Sequence, residues 1–210
     1  MLPWLRDLGK EALHLALGDR FLWRLPAGER TLALTFDDGP DPEHTAPMLD
    51  LLAKHDVRAT FFLIGRHVAR HPELVRRIAA EGHALAGHTY DHQEIVSLAP
   101  QALGEQMESC RRAIEDAAAV DTRWVRPPRG RMNLPALRRV AALGYRTVHW
   151  TRTYSDYQRE GTEPLLRRMS GEAAAPRDII LLHDHNPHTI EALGTMIPRW
   201  RAEGFGFRCL

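Results

Sequence analysis

Short apolar runs alternate with helix-length amphipathic segments along almost all of this 210-residue chain. No other feature narrows the fold as much. The pattern predicts strands at 32–36, 59–64, 84–86, 123–125, 145–150, 179–182 and 205–208. It predicts helices at 45–55, 72–81, 101–118, 134–143, 163–172 and 190–202. Thr45 is placed to cap the first of these helices, Pro72 opens the second and Gly82 follows it. A helix between two strands carries the chain back to the end where the first strand began. The strands therefore run parallel and the helices cover the sheet. The expectation is an α/β fold. About seven or eight such units in this length point to a barrel, closed or incomplete, with its functional groups at the C-terminal ends of the strands.

The polar residues obey that rule. Asp37 and Asp38 follow the first strand, His88 and His92 the third, and Arg126 the fourth. Asp156 lies beyond the fifth and His183 ends the sixth. In TFDDGP at 35–40, two adjacent carboxylates leave a buried strand side by side. Helix capping needs one; two suggest that something nearby needs charge. In GHTYDH at 87–92, His88 and His92 stand at i and i+4, the spacing of one side of a helical turn, and can grip one transition metal. A carboxylate from the first strand end makes the set two His and one Asp. That set suits a catalytic zinc with an open position, and also a non-haem iron(II). One aspartate would then be a ligand and the other a general base on water that the metal acidifies. In RPPRG at 126–130, Arg126 offers a planar fork to the base carboxylate, next to prolines that hold the backbone extended. In IILLHDH at 179–185, His183 is placed as a general acid. Each residue also has an ordinary reading, since chance histidine pairs arise among 12 His and a strand-end Arg or His is commonly structural.

Composition sets the outer limits. A formal net charge of +1, with 26% charged and 44% hydrophobic residues, is that of a folded globular chain and offers no charge excess for nucleic acid. Of 28 basic residues, 26 are Arg; only Lys10 and Lys54 are Lys. Cys110 and Cys209 form no CxxC and no disulfide framework, which favours a reducing compartment. In MLPWLRDLGKEALHLALGDR at 1–20, Arg6, Asp7, Lys10 and Glu11 interrupt any signal-peptide core. No run approaches the ~20 apolar residues of a membrane span. The expected location is the cytoplasm. Residues 4–17 read as an amphipathic helix, with Leu5, Leu8, Ala12 and Leu15 at helical spacing. That helix either packs on the main domain or rests on a membrane surface or partner. The expected division is helix and linker over 1–28 and the main domain over 29–210, with no obligate protein partner evident.

TFDDGP, HTYDH, RPPRG and LLHD, in this order, resemble the polysaccharide deacetylases of carbohydrate esterase family 4, the chitooligosaccharide deacetylase (NodB) homology domain. The resemblance spans 29–210. It implies a distorted (β/α)7 barrel and metal-dependent hydrolysis of acetyl groups from an N-acetylated, less often O-acetylated, sugar or glycan. The implied cofactor is a divalent metal, zinc first, with cobalt or nickel as alternatives. Residue by residue, it implies Asp37 as catalytic base, Asp38, His88 and His92 as metal ligands, Arg126 as the residue that positions the base, His183 as catalytic acid and Leu181 as lining of the acetyl pocket.

The chain departs from that family in three places. TYSDYQ has Asp156-Tyr157 where an Asp-Trp pair is usual, which leaves Trp150 as a candidate aromatic wall. Arg129 stands where many members have Tyr. Many members are exported, and no export signal is read here. An Arg at 129 suits phosphate or carboxylate, which together with a cytoplasmic location admits a nucleotide- or lipid-linked N-acetyl sugar as substrate; the ordinary alternative is that Arg129 only makes a surface ion pair. The candidate substrate contacts are Leu181, Arg129, Trp150, Asp156 and Tyr157. Three rivals remain. An amide or cyclic-amide hydrolase of nitrogen metabolism would use the same barrel. A non-catalytic sugar-binding barrel would have lost the base or a ligand, and all are present. A non-haem iron oxygenase would sit on a jelly roll of strands rather than on alternating strands and helices.

Overall fold

The computed structural model describes residues 3–28 and 30–210. In chain order the elements are α1 (Pro3–Leu17), β1 (Phe21–Leu22), β2 (Thr31–Asp37), α2 (Thr45–Lys54), β3 (Thr60–Leu63), α3 (Gly65–Arg70), α4 (Pro72–Ala80), β4 (Ala84–Gly87), α5 (Pro100–Ala118) and β5 (Trp124–Val125). They continue with α6 (Leu134–Ala142), β6 (Arg146–Val148), β7 (Arg152–Thr153), α7 (Thr162–Gly171), β8 (Ile179–His183), α8 (Pro187–Ala202) and β9 (Gly206–Phe207).

The strands form one parallel sheet in the order β1-β6-β5-β4-β3-β2-β8-β7, with β9 paired to the start of β2. Its two ends are joined by the chain itself. β6 lies between β1 and β5, whereas β7, three residues further on, pairs with β8. Across that gap the His149 amide donates to Leu22 O and the Thr151 amide to Ile179 O. The strand expected over 145–150 thus stops at Val148, and the chain bonds to the other end of the sheet only from Thr151 onward, into β7. This crossing curls the sheet into the distorted (β/α)7 barrel, with the helices outside.

Strand alternation decides what faces the interior. Along β2, Leu32, Leu34 and Phe36 pack outward beneath the helices, and Ala33 faces inward. Along β8, Ile180 and Leu182 pack outward while Ile179 and Leu181 face inward. Phe62 and Ala86 complete the apolar floor. The same alternation turns Thr35 and Asp37 inward on β2 and His183 inward on β8. Asp37 and His183 are register partners. The barrel therefore has an apolar lower half and a polar mouth.

Several local expectations change. Thr45 does not cap α2: its hydroxyl accepts from the Asp41 amide and donates to Asp184, because that loop folds against the mouth. α8 starts at Pro187 rather than 190, since Asn186 caps it by accepting from the His188 amide. Residues 18–28 are not simply linker. β1 joins the sheet beside β6, and Leu25 packs into the barrel floor. α1 packs on the barrel through Leu13, Leu17 and the buried Lys10, and leaves Leu8 and Leu15 exposed. The expected face residue Leu5 has its side chain outside the described set. No helix among the described residues is long and apolar enough to cross a membrane.

Candidate active site

The two aspartates of TFDDGP reach the mouth by different routes. Asp37 is the last inward residue of β2 and is buried. In a regular strand Asp38 would face the other way. Its φ of 75° puts it in the left-handed region, a strained choice for a non-glycine residue. That turn brings its carboxylate to the same mouth.

Arg126 follows β5 and has no exposed surface. Its Nη1 donates to Asp37 Oδ1 at 2.6 Å and to Thr35 Oγ1 at 2.8 Å; its Nη2 donates to His149 O at 3.3 Å. The guanidinium lies 4.0 Å from the Phe62 ring centroid. Burial pushes the Asp37 carboxyl above its ordinary range, and the charge of Arg126 opposes that. Burial pushes Arg126 down while Asp37 holds it up; an arginine stays ionised through such a shift. Thr35 escaped the sequence reading, since nothing marks an inward Thr as part of a polar network.

His88 is buried just beyond β4. Its Nδ1–H donates to Arg126 O at 2.8 Å, which fixes the tautomer and leaves a lone pair on Nε2. Burial lowers its pKa to about 3, so the ring is neutral. His92 does not share a helical turn with His88. Thr89 and His92 both have φ of 61°, and the segment is an irregular loop. Gln106 on α5 holds that loop: its Oε1 accepts from the amides of Tyr90 (3.0 Å) and Asp91 (2.8 Å), and its Nε2 donates to Asp91 Oδ2. The two histidines do meet, with ring centroids 5.0 Å apart, but through a loop and not through the helical turn that the i, i+4 spacing implied.

The Nε2 atoms of His88 and His92 lie 3.4 and 3.2 Å from the same atom, Asp38 Oδ1. That oxygen is buried and has no hydrogen-bond donor. The three donor atoms lie within 4.8 Å of one another. A neutral imidazole lone pair facing a carboxylate oxygen is repulsive unless a cation lies between them. The arrangement therefore fits a divalent metal ion.

His183 faces the same mouth, its Nε2 3.9 Å from Asp38 Oδ2. Asp156 holds it from behind. Asp156 Oδ1 accepts from His183 Nδ1 at 2.9 Å, and Oδ2 accepts from the His183 amide (2.8 Å) and from Thr189 Oγ1 (2.9 Å). Burial alone would lower the His183 pKa. The hydrogen bond and charge of Asp156, aided by Asp37 and Asp38, instead push it up to about 9. Asp156 was expected among the substrate contacts. It is buried, and its carboxylate is spent on His183 and Thr189.

A cleft of about 600 Å³ opens over these groups. Asp37, Asp38, His88, His92 and His183 line it, with Leu181 and Trp150 as apolar wall and Tyr157 and Arg129 towards the rim. Trp150 stacks on His149 with centroids 3.9 Å apart. Tyr157 is 57% exposed, its ring edge-on to His183 at 6.1 Å. Arg129 is exposed and donates to Glu94 Oε1 at 3.1 Å. Arg126 and Asp156 lie beneath the surface, hydrogen-bonded to Asp37 and His183 respectively.

The family model described as polysaccharide deacetylase matches residues 24–148. The chain belongs to the polysaccharide deacetylase family. It is 38% identical over 197 residues to the chitooligosaccharide deacetylase of Rhizobium leguminosarum bv. trifolii, covering 87% of this chain and 91% of that one. The solved structure of a peptidoglycan N-acetylglucosamine deacetylase superposes with a TM-score of 0.87 at 28% identity, over 94% of each chain. A pseudoenzyme of carbohydrate esterase family 4 from Bacillus anthracis superposes with a TM-score of 0.85 at 28% identity, over 92% of this chain and 68% of that one. Membership in this family implies a divalent metal, and Asp38, His88 and His92 offer a possible site for it.

Proposed function

We propose that this member of the polysaccharide deacetylase family hydrolyses the N-acetyl amide of a sugar or glycan, with a lesser capacity for O-acetyl esters. One observation carries the reading. Asp37 and His183 are register partners on adjacent strands, each held from behind by a buried opposite charge, on either side of Asp38. A similar fold also serves a pseudoenzyme, so the likeness of fold alone would not support turnover. The full set of groups does.

Asp38, His88 and His92 would hold the metal, and zinc suits a two-His, one-Asp set best. A divalent ion there supplies Lewis-acid polarisation and acidifies water. Asp37 takes the proton from the attacking water. Arg126 keeps Asp37 ionised and aimed. The water oxygen adds to the acetyl carbon, and His183 then gives its Nε2 proton to the departing amine nitrogen. Acetate and a free amino sugar result. Asp156 keeps His183 charged before that transfer. Leu181 and Trp150 form a dry wall suited to the acetyl methyl, and Tyr157 gives a sugar ring a face.

Chitooligosaccharide and peptidoglycan substrates, named for the relatives, are the first to try. An anionic substrate, nucleotide- or lipid-linked, is the finer reading. Arg129 at the rim supports it, although Glu94 already takes up part of its charge. A neighbouring cleft that shares Asp38 and His92 supports it further. It is lined by Arg66 and Arg159, and no described carboxylate forms an ion pair with either. A cytoplasmic location draws support from two free thiols, Cys110 and Cys209, and contact of α1 with a membrane surface from exposed Leu8 and Leu15.

The decisive assay measures acetate released from N-acetylglucosamine oligomers by protein loaded with zinc, cobalt or nickel. Asp37→Asn should bind metal and lose most turnover; His88→Ala should lose both. No acetate from any panel member by fully loaded protein would leave the sugar-binding reading in its place.

A further inference from the structure

Lys10 is one of two lysines among 28 basic residues, and it is buried, with 6% of its surface exposed. A buried ammonium needs partners in place of water. Its Nζ donates to Trp150 O at 2.8 Å, lies 3.5 Å from Asp7 Oδ1 and sits 5.4 Å from the Trp23 ring centroid. The bond to Trp150 joins residues 140 positions apart.

Its target is the crossing that closes the barrel. There the His149 and Thr151 amides bond to opposite ends of the sheet. Two successive carbonyls are each taken by a buried cation. Arg126 Nη2 holds His149 O at 3.3 Å, and Lys10 Nζ holds Trp150 O. The Trp150 ring has little room to adapt. It stacks on His149, and a Cβ on Gly130 would lie 2.4 Å from it. Where the backbone stands at 150 therefore sets where the aromatic wall of the cleft stands.

We propose that Lys10 is a positioning residue for the substrate-binding wall, and that α1 is for this reason a working part of the catalytic unit. Through the Trp150 carbonyl, α1 fixes the wall against which the substrate packs. The proposal rests on the deacetylase reading for its kinetic test.

Lys10→Met keeps the apolar stem and removes the donor, whereas Lys10→Arg restores a donor. With metal-loaded protein and an N-acetylglucosamine tetramer, Lys10→Met should raise KM about five- to tenfold with kcat within about twofold and metal content unchanged. Lys10→Arg should recover most of the loss. Leu15→Gln, on the exposed side of α1, should match wild type. A variant that is merely less stable loses active molecules, and so loses apparent kcat at unchanged KM. A KM within twofold of wild type, or a loss confined to kcat, overturns the proposal. Should Lys10→Met fail to fold, Lys10→Gln, whose shorter reach stretches the bond, makes the same comparison, and a wild-type KM there is equally fatal. If wild type releases no acetate, the deacetylase reading fails by itself. The positioning role is then read from tetramer affinity by calorimetry, with the same five- to tenfold weakening expected and unchanged affinity overturning it.

Discussion

Replacing Asp156 with Asn removes the charge that keeps His183 protonated while retaining an oxygen to accept from its amide. His183 stands at about 9 against the pull of burial, and removing the hydrogen bond and charge of Asp156 lets it fall back towards the ordinary 6.5. The fall from about 9 to 6.5 corresponds to about 3 kcal/mol of differential interaction, at ~1.4 kcal/mol per pH unit. At pH 8 the full fall would take the acid form from about nine-tenths of the molecules to a few per cent, so kcat there should fall by up to about 30-fold. The pH–kcat profile checks this: the alkaline limb should move down by up to about 2 pH units, with the metal retained. Stability responds with a definite sign. A folded-state pKa raised above the unfolded value contributes fully below about 6.5 and is lost as pH rises through about 9. The wild type should therefore lose up to about 3 kcal/mol relative to Asp156→Asn between those limits. An alkaline limb that stays in place would refute the assignment of His183 as proton donor, and a pH-independent stability difference would refute the assigned charge coupling.

Three further outcomes test the surrounding parts. Arg126→Ala leaves Asp37 buried without its cation, which should cost about 3–5 kcal/mol and lower Tm by roughly 10 °C in calorimetry; Arg126→Lys should not restore turnover, because one ammonium cannot serve Asp37, Thr35 and His149 with the same fork. Gln106→Ala frees two loop amides behind His92 and should weaken metal binding about 10–100-fold in a chelator competition, with little change in Tm. Arg129→Ala should cut kcat/KM on the order of tenfold for a phosphate-bearing N-acetyl sugar alone; equal losses on a neutral sugar would return Arg129 to its ion pair with Glu94.

The groups that the sequence made legible share one property: their position follows from a local period. Asp37, Leu181 and His183 fall on the inward side of β2 and β8 because strand residues alternate, and the apolar run around each marks the strand. Asp38, His88 and Arg126 are legible as strand-end polar residues for the same reason, and their motifs resemble those of one family. Helices α4 and α5 carry their own boundaries, with proline at the start of each.

What the tertiary structure decided depends on contacts between residues far apart in the chain. No local pattern says that the strand expected over 145–150 should stop at Val148 and that the chain should then cross to the other end of the sheet at β7. None says that the two-residue β1 belongs to that sheet. His92 joins His88 through two left-handed residues and a glutamine on α5, not through helical spacing. The role of Asp156 was hidden because an aspartate beyond a strand end reads as a substrate contact, and only packing shows that it spends its oxygens on His183 and Thr189. Lys10 was legible as one polar residue of a helix, and only the fold carries it across the barrel to Trp150. Side-chain direction along one strand or helix is a property of the local backbone and so is written in the sequence. Burial and charge pairing are properties of the closed barrel, and they exist only once distant segments meet.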